Sequence, residues 1–199
     1  EKLFIYQSRI DSDEEIYYTS RDQDYYRLKP LEIFNTPSWE NHVTISADEK
    51  TVFFVSARPG GLGGTDIWRC LKLPNGEWSK PFNLGPPINS SYNEQSPFIH
   101  PDGKTLYYSS DGEQSMGGYD IFFSKKIDNI KWSTPINMGF PLNTVDDDLF
   151  FTTSADGERG YYASNHEGGY GGNDLYMVKL KNTITDPVTI LKGHVDKGK

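Results

Sequence analysis

The chain has 199 residues and carries 28 acidic against 20 basic side chains, which gives a formal net charge of −8. This balance excludes nucleic acid as a predicted partner, because binding a phosphate backbone requires a surface rich in lysine and arginine. A transmembrane helix is not expected either, since crossing a bilayer takes about 20 apolar residues. Uninterrupted apolar runs, such as Leu3–Tyr6 and Val52–Val55, are far shorter here.

Two short apolar runs open the chain, at residues 3–9 and 15–19. Aromatic residues make up 14% of the sequence, together with 19 glycines and 12 prolines. This composition favours strands and turns over helices. We therefore predict that the two runs are the second and third strands of an incomplete unit.

Farther along, the sequence repeats with a spacing of 54 residues. Three motifs show the period: an Asp-containing turn at 46–50, 100–104 and 154–158; Gly-Gly-x-Asp at 63–66, 117–120 and 171–174; and Trp-Ser-x-Pro at 78–81 and 132–135. Self-similarity at a fixed period is typical of repeat architectures, in which each copy is one supersecondary unit.

Each unit contains four short apolar runs, which in the second unit cover residues 42–46, 51–57, 65–73 and 78–84. Runs of this length between glycines and prolines are typical of strands, and Asp-Gly pairs favour tight hairpins. Four antiparallel strands per repeat predict a propeller blade. The predicted fold class is therefore all-β, a β-propeller of four-stranded antiparallel blades.

The predicted domain boundaries follow the repeat: a partial blade at 1–38, blades at 39–92 and 93–146, a last blade at 147–187, and a terminal segment at 188–199. The pattern provides two strands fewer than a closed ring of four blades needs. We therefore expect part of a larger ring, or a ring that these residues cover incompletely.

Three segments resemble a known repeat family: Pro-Asp-Gly-Lys-Thr-Leu-Tyr-Tyr-Ser-Ser at 101–110, Gly-Gly-Tyr-Asp-Ile at 117–121, and Trp-Ser-x-Pro-x-Asn-x-Gly at 132–139 with Leu-Asn-Thr at 142–144. They are similar to the WD40-like PD40 repeats of OmpA-family envelope proteins of the Bacteroidota, which include the PorE-type components of the type IX secretion machinery. The resemblance covers about residues 3–180. The first unit lacks Gly-Gly-x-Asp-Ile, and the Asp-Gly-Lys pattern is incomplete around Lys50 and Glu158.

This resemblance implies a non-catalytic scaffold for protein–protein interaction, periplasmic and associated with the outer membrane. Its expected partners are subunits of the secretion machinery, with peptidoglycan bound only through a domain outside this chain and no cofactor. Residues 188–196 are similar to the opening strand of a carboxypeptidase-regulatory-like β-sandwich. The alternative is a carbohydrate-recognising propeller, lectin-like or a degenerate glycosidase, that handles glycans at the cell surface.

The Gly-Gly-x-Asp motifs allow two interpretations. Glycine-flanked carboxylates are common calcium ligands, but a calcium site needs six or more oxygens and each loop offers one carboxylate. The other interpretation is structural: the aspartate accepts backbone N–H bonds in the turn before the third strand. We predict the structural role, and no metal site, for Asp66, Asp120 and Asp174.

A second set of acids recurs at the predicted start of each innermost strand: Glu40, Glu94 and Asp148. Repeat symmetry places them at one level, so they form a candidate axial ring of negative charge that could hold a cation or a basic segment. Alternatively, each acid bonds backbone or a neighbouring blade. The candidate partner surface comprises residues in less regular loops: Tyr25, Tyr26, Tyr92, Asp146 and Asp147.

Catalysis is not expected from this pattern. A catalytic set is normally asymmetric, whereas the carboxylates here recur in every unit, and no nucleophile triad is recognisable. A glycosidase, which would need two convergent carboxylates, is the alternative. Trp78 and Trp132 open the fourth strands, and we expect them to pack against the adjacent blade rather than form a sugar-stacking platform.

Overall fold

The computed structural model describes residues 3–10, 13–20, 29–166, 168–180, 184–186 and 188. These residues form 14 strands. Their bounds are β1 (Leu3–Ile10), β2 (Asp13–Ser20), β3 (Lys29–Pro30), β4 (Glu40–Ile45), β5 (Thr51–Ser56), β6 (Asp66–Leu71), β7 (Phe82–Asn83), β8 (Glu94–Ile99), β9 (Thr105–Ser110), β10 (Asp120–Lys125), β11 (Ile136–Asn137), β12 (Asp148–Thr153), β13 (Arg159–Ser164) and β14 (Asp174–Lys179).

The strands form four antiparallel sheets that follow one another along the chain. Sheet 1 has the order β1-β2-β3, sheet 2 β4-β5-β6-β7, sheet 3 β8-β9-β10-β11, and sheet 4 β12-β13-β14. Each sheet is a meander of sequential hairpins, which short connections with turn residues allow. The predicted all-β class and the four-stranded antiparallel sheets are confirmed.

The core lies between neighbouring sheets, because the central strands are apolar on both faces. Val52, Phe54 and Trp68 of sheet 2 pack with Ile16 of sheet 1. The opposite face of sheet 2 contributes Phe53 and Ile67 to a cluster with sheet 3. A third cluster joins sheets 3 and 4 through Tyr107, Ile121, Phe151 and Tyr162. Burying apolar area on both faces stabilises the stack of sheets.

Asparagine side chains attach each connecting loop to the sheet before it. Asn89 Oδ1 accepts a 2.9 Å bond from the Ile67 backbone N–H, and its Nδ2 donates to the Ile67 carbonyl, also at 2.9 Å. Equivalent pairs of bonds join Asn35 to Ile16 and Asn143 to Ile121. The asparagine oxygen thus gives each strand N–H an acceptor, while the strand carbonyl accepts both the asparagine amide and a backbone N–H, such as that of Leu84 at Ile67.

The outermost strands are shorter than the sequence predicted. The run at 78–84 contains β7, which pairs with β6 only through Phe82 and Asn83, and a separate bridge between Lys72 and Trp78. Pro81 lies between these two pairings and has no N–H to donate to a regular ladder.

The sheets contact one another in chain order, and within the described ranges no contact joins sheet 4 back to sheet 1. A closed ring is therefore not formed by these residues. The predicted terminal segment 188–199 lies, except for residue 188, outside the described residues. In the part of the chain that the structure describes, no helix is long and apolar enough to cross a membrane.

Candidate functional site

Three inner strands line a cavity of about 300 Å³ between sheets 2, 3 and 4. β4, β8 and β12 each contain a β-bulge, and the bulge lies at the same position of the repeat in all three. The bulged residues are His42, Ser96 and Phe150, with φ angles of 44°, 51° and 58°. A bulge re-aims side chains out of the regular alternation, and here it brings three unlike side chains to one cavity.

The contacts among these residues make the cavity lining asymmetric. The Ser96 backbone N–H donates to His42 Nδ1 at 3.2 Å. The imidazole and the Phe150 ring meet edge to face, with centroids 4.8 Å apart. Positive φ is costly for a non-glycine residue and strained backbone clusters at functional sites. Phe98, Thr44 and Thr152 complete an aromatic and hydroxyl-bearing surface.

A second, larger cavity of about 420 Å³ lies at the end of sheet 3. Its floor includes Tyr108 and Phe122, whose rings are stacked with centroids 6.0 Å apart. Its polar groups include Glu94, Ser110 and Glu113. Burial raises the pKa of Glu94 to about 7, so this carboxyl exchanges its proton near neutral pH.

The three acids predicted as an axial ring share one local arrangement. Glu40, Glu94 and Asp148 each accept bonds from the backbone N–H and the hydroxyl of the Ser or Thr four residues earlier. Their exposed fractions are 0%, 1% and 0%. Each acid therefore binds the loop that immediately precedes its own strand. Glu94 also lines the cavity of sheet 3.

The Gly-Gly-x-Asp aspartates all accept a backbone N–H from the residue four positions earlier. Asp66 accepts from Leu62 at 3.0 Å, Asp120 from Met116 at 2.8 Å, and Asp174 from Tyr170 at 2.6 Å. This is the geometry of a turn that starts the third strand. Among the described residues, no group of three or more His, Cys, Asp or Glu side chains could hold a metal ion.

The residues predicted as a partner surface are not all brought together. Tyr92 is 39% exposed at the cavity of sheet 3. Asp147 Oδ1 accepts a 3.0 Å bond from the Tyr119 backbone N–H, and the Asp146 N–H donates to the Thr144 hydroxyl at 3.2 Å. Tyr25 and Tyr26 lie outside the described residues.

The two tryptophans of the outer strands contact aromatic side chains nearby. Trp132 is buried and meets Phe53 of sheet 2 edge to face, with ring centroids 6.0 Å apart. Trp78 lies 5.9 Å from Phe34. These contacts place both indoles against the preceding sheet or its connection.

No family model and no curated protein matches the chain. Solved structures do: the chain is similar to a thermostable family-43 glycoside hydrolase, with a TM-score of 0.56 and 12% identity, over 94% of this chain and 69% of that one. It is also similar to a prolyl endopeptidase, with a TM-score of 0.45 and 14% identity, over 94% of this chain and 26% of that one. A third similar structure is the α-L-arabinanase of Penicillium chrysogenum, with a TM-score of 0.47 and 14% identity, over 88% of this chain and 58% of that one. The chain thus spans about a quarter of the endopeptidase.

At such identities the similarity concerns the fold alone. The chain has a β-propeller-like all-β fold, as its stacked four-stranded sheets indicate.

The comparison corrects one prediction from the sequence. The chain was expected not to be an enzyme, and that exclusion is corrected: the fold gives no ground for it, because a glycoside hydrolase has a similar fold. The physical error lay in judging the site by its repeated carboxylates. Repeat symmetry does not prevent an asymmetric site, since the bulge positions of the three inner strands carry different side chains.

The sequence reasoning overlooked these bulge residues. The signal was present in the 54-residue spacing, which relates His42, Ser96 and Phe150. These three residues occupy equivalent repeat positions but differ in type, so a search for repeated residues did not find them.

Proposed function

We propose that the chain recognises carbohydrate in the cavity between β4, β8 and β12. The observation that carries the proposal is that one bulge position, in three successive sheets, supplies an imidazole, a hydroxyl and a phenyl ring to one cavity. Its volume, about 300 Å³, lies at the lower end of the range for small-molecule sites. A sugar residue or a short oligosaccharide fits that scale.

The lining matches the two kinds of surface that a sugar presents. Aromatic rings such as Phe98 and Phe150 offer apolar area to the C–H faces of a sugar ring. Hydroxyl groups of Thr44, Ser96 and Thr152 can both donate to and accept from sugar hydroxyls. The exposed Phe150 side chain, 47% accessible, is the most available stacking surface.

The shared fold with a family-43 glycoside hydrolase supports testing carbohydrates before other ligands. Glycoside hydrolysis normally requires a pair of carboxylates on either side of the bond. The described residues that line this cavity include neither Asp nor Glu. The proposal therefore concerns recognition, and hydrolysis of any bound glycan is to be measured alongside binding.

A glycan array followed by calorimetric titration of the best oligosaccharide tests this proposal. We expect saturable binding that weakens at least about tenfold in Phe150→Ala and in His42→Ala, a loss of roughly 1.4 kcal/mol. Phe140→Ala is the matched control, because Phe140 is 79% exposed and lies outside the cavity. Absence of saturable binding to any glycan, or binding unchanged in both cavity variants, would overturn the proposal.

A second candidate is a docking platform for proteins, as the resemblance to PD40 repeats of envelope proteins implies. One observation favours it: the outer face of sheet 4 exposes Tyr161, Leu175 and Met177 by 36%, 79% and 56%. The equivalent residues of sheet 3 include Tyr107 and Ile121, which are fully buried against sheet 4. Such a face fits another β-sheet, since the preceding sheets use it in that way.

In this second candidate the chain belongs to a periplasmic, outer-membrane-associated protein of PorE type, and the docked sheet belongs to a subunit of the type IX secretion machinery. Co-purification of those subunits with the wild-type chain, reduced in Leu175→Lys, is the expected result. Equal recovery with both chains would count against docking through this face.

A further inference from the structure

Sheet 2 binds one of the chain's own guanidinium groups in an aromatic and acidic pocket. Arg58 Cζ lies 4.9 Å from the centroid of the Phe54 ring and 5.3 Å from that of Trp68. Its Nη2 lies 3.4 Å from Glu40 Oε1, and the Arg58 side chain is only 10% exposed. Two aromatic faces and a buried carboxylate together stabilise a planar cation.

Two neutral acceptors complete this pocket. Arg58 Nε donates to Ser56 Oγ at 2.8 Å, and Nη2 donates to the backbone carbonyl of Phe34. The N–H groups at the edge of the guanidinium therefore have acceptors, and its planar face lies against aromatic rings. Arginine, rather than lysine, prefers this environment.

Every group that holds Arg58 has a counterpart 54 residues later, and all five counterparts line the cavity of sheet 3. Tyr108 and Phe122 correspond to the aromatic pair, and Glu94 corresponds to the carboxylate. Ser110 corresponds to the hydroxyl, and Ile88 to the residue whose carbonyl accepts a bond. The residue equivalent to Arg58 is Gly112.

The backbone at Gly112 follows the same course as at Arg58. Its N–H donates to Ser110 Oγ at 3.2 Å, as the Arg58 N–H donates to Ser56 Oγ at 3.0 Å. Because glycine has no side chain, no guanidinium of the chain's own fills this place in sheet 3, and the cavity extends to Gly112. The Tyr92 ring borders it, 3.7 Å from where a Cβ on Gly112 would lie. Within the described ranges, no Lys, Arg or His forms an ion pair with Glu94.

Sheet 4 fills the corresponding place with another planar nitrogen-bearing ring. His166, at the position equivalent to Arg58 and Gly112, lies with its ring centroid 4.6 Å from that of Tyr176. Tyr176 is the counterpart of Trp68 and Phe122. Sheet 3 thus differs from both neighbours in having no nitrogen-bearing side chain at this repeat position.

We propose that the cavity of sheet 3 binds the guanidinium group of an arginine side chain from a peptide or protein segment. Glu94 supplies the carboxylate, Tyr108 and Phe122 supply the aromatic faces, and Ser110 and the Ile88 carbonyl accept the edge N–H groups. The cavity volume of about 420 Å³ leaves room for backbone atoms beside the guanidinium. Glu113 at the same cavity and the net charge of −8 attract a cationic segment.

Calorimetric titration with a blocked Gly-Arg-Gly tripeptide at pH 8 tests the proposal. At that pH the Glu94 carboxyl, whose pKa burial raises to about 7, is mostly charged. We expect saturable binding, and at least about tenfold weaker binding of the matched citrulline peptide, which has the same shape without the charge, and of the lysine peptide, which lacks the planar fork. Methylguanidinium is expected to bind more weakly than the tripeptide, and equal affinity would overturn a peptide as the ligand.

Protein variants locate the site. Gly112→Arg places a guanidinium where sheet 2 has one, so we expect it to raise the melting temperature and to weaken tripeptide binding at least about tenfold. Glu94→Gln is expected to weaken binding to the same extent, while Glu77→Gln, an exposed acid outside the cavity, leaves it unchanged. Citrulline binding as tight as arginine, or undiminished binding in Glu94→Gln, would overturn the proposal even if Gly112→Arg failed to fold.

Discussion

At the scale of single residues, the same structural position carries different chemistry in successive sheets. Arg58, Gly112 and His166 occupy one such position, and His42, Ser96 and Phe150 occupy another. The surrounding hydrogen bonds recur, so the backbone is kept while the side chain changes. This separation of scaffold from site is how a repeat protein acquires an asymmetric function.

Glu94 gives the fold a pH dependence. Its pKa is raised from 4.5 to about 7 in the folded chain, first by burial and then by the charge of Asp66. The other titratable residues that line its cavity are Tyr92, Tyr108 and Glu113. Between these values the folded state binds more protons than the unfolded state, so the free energy of unfolding falls as pH rises. The fall is on the order of 3 kcal/mol and ends about one pH unit above the folded pKa.

Urea unfolding of Glu94→Gln at pH 4.5 to 8 measures this effect. We expect the free energy of unfolding to fall less steeply with pH in this variant than in the wild type. Asp148, whose pKa burial also raises, contributes to the fall that remains. Glu77→Gln serves as the control for net charge. A pH profile for Glu94→Gln that parallels the wild type would contradict the assignment.

Asp120 provides a second test at a single residue. Its carboxylate accepts bonds from the Met116 backbone N–H at 2.8 Å and from Asn137 Nδ2 at 2.6 Å. Asp120→Ala leaves these donors without an acceptor, so we expect a loss of about 1–3 kcal/mol in the free energy of unfolding. Asp120→Asn, which retains one acceptor oxygen, should lose less.

Thermal or urea denaturation checks this prediction. Unchanged stability of Asp120→Ala, combined with loss of ligand binding, would mean that the loop is a binding element rather than a turn.

At the scale of strands and sheets, the outer face of sheet 4 is exposed, whereas the equivalent face of sheet 3 is buried. Ile121 of sheet 3 and Leu175 of sheet 4 occupy the same repeat position, but Ile121 is fully buried whereas Leu175 is 79% exposed. We expect Ile121→Lys to lower the free energy of unfolding by more than about 3 kcal/mol, since it buries a charge. Leu175→Lys should change it by no more than about 0.5 kcal/mol.

Denaturation of the two lysine variants, with sedimentation to establish their oligomeric state, makes this comparison. Equal destabilisation would show that another sheet covers the outer face of sheet 4 in solution.

Much of the element scale could be predicted from the sequence. The turns around Asp48 and Asp102 and the apolar runs between them determine where β5 and β9 begin, because local turn chemistry and alternation act over a few residues. The shortness of β7 could not be predicted, because pairing there competes with proline geometry. The bulges in β4, β8 and β12 were not predicted, because none of their positive-φ residues is a glycine that would mark an irregular strand.

At the scale of the whole molecule, the stacking of sheets followed from the repeat, and the function did not. The pairing of Glu40 with Arg58, and the gap opposite Glu94, become visible only when the two sheets are compared in space. For the same reason, the repeated carboxylates were no basis for excluding catalysis. Repeated residues report on the scaffold, whereas a site is formed by the positions at which the repeats differ.

We propose two separate binding sites at such positions, one for carbohydrate and one for guanidinium. Nuclear magnetic resonance titration of the ¹⁵N-labelled chain, first with the oligosaccharide selected by array and then with the arginine tripeptide, tests this proposal most directly. The oligosaccharide should shift the amide signals of residues 42–44, of Ser96 and Phe98, and of 150–152, and the tripeptide those of 88–94 and 108–113. Shifts of one common set by both ligands, or saturable shifts by neither, would contradict the account.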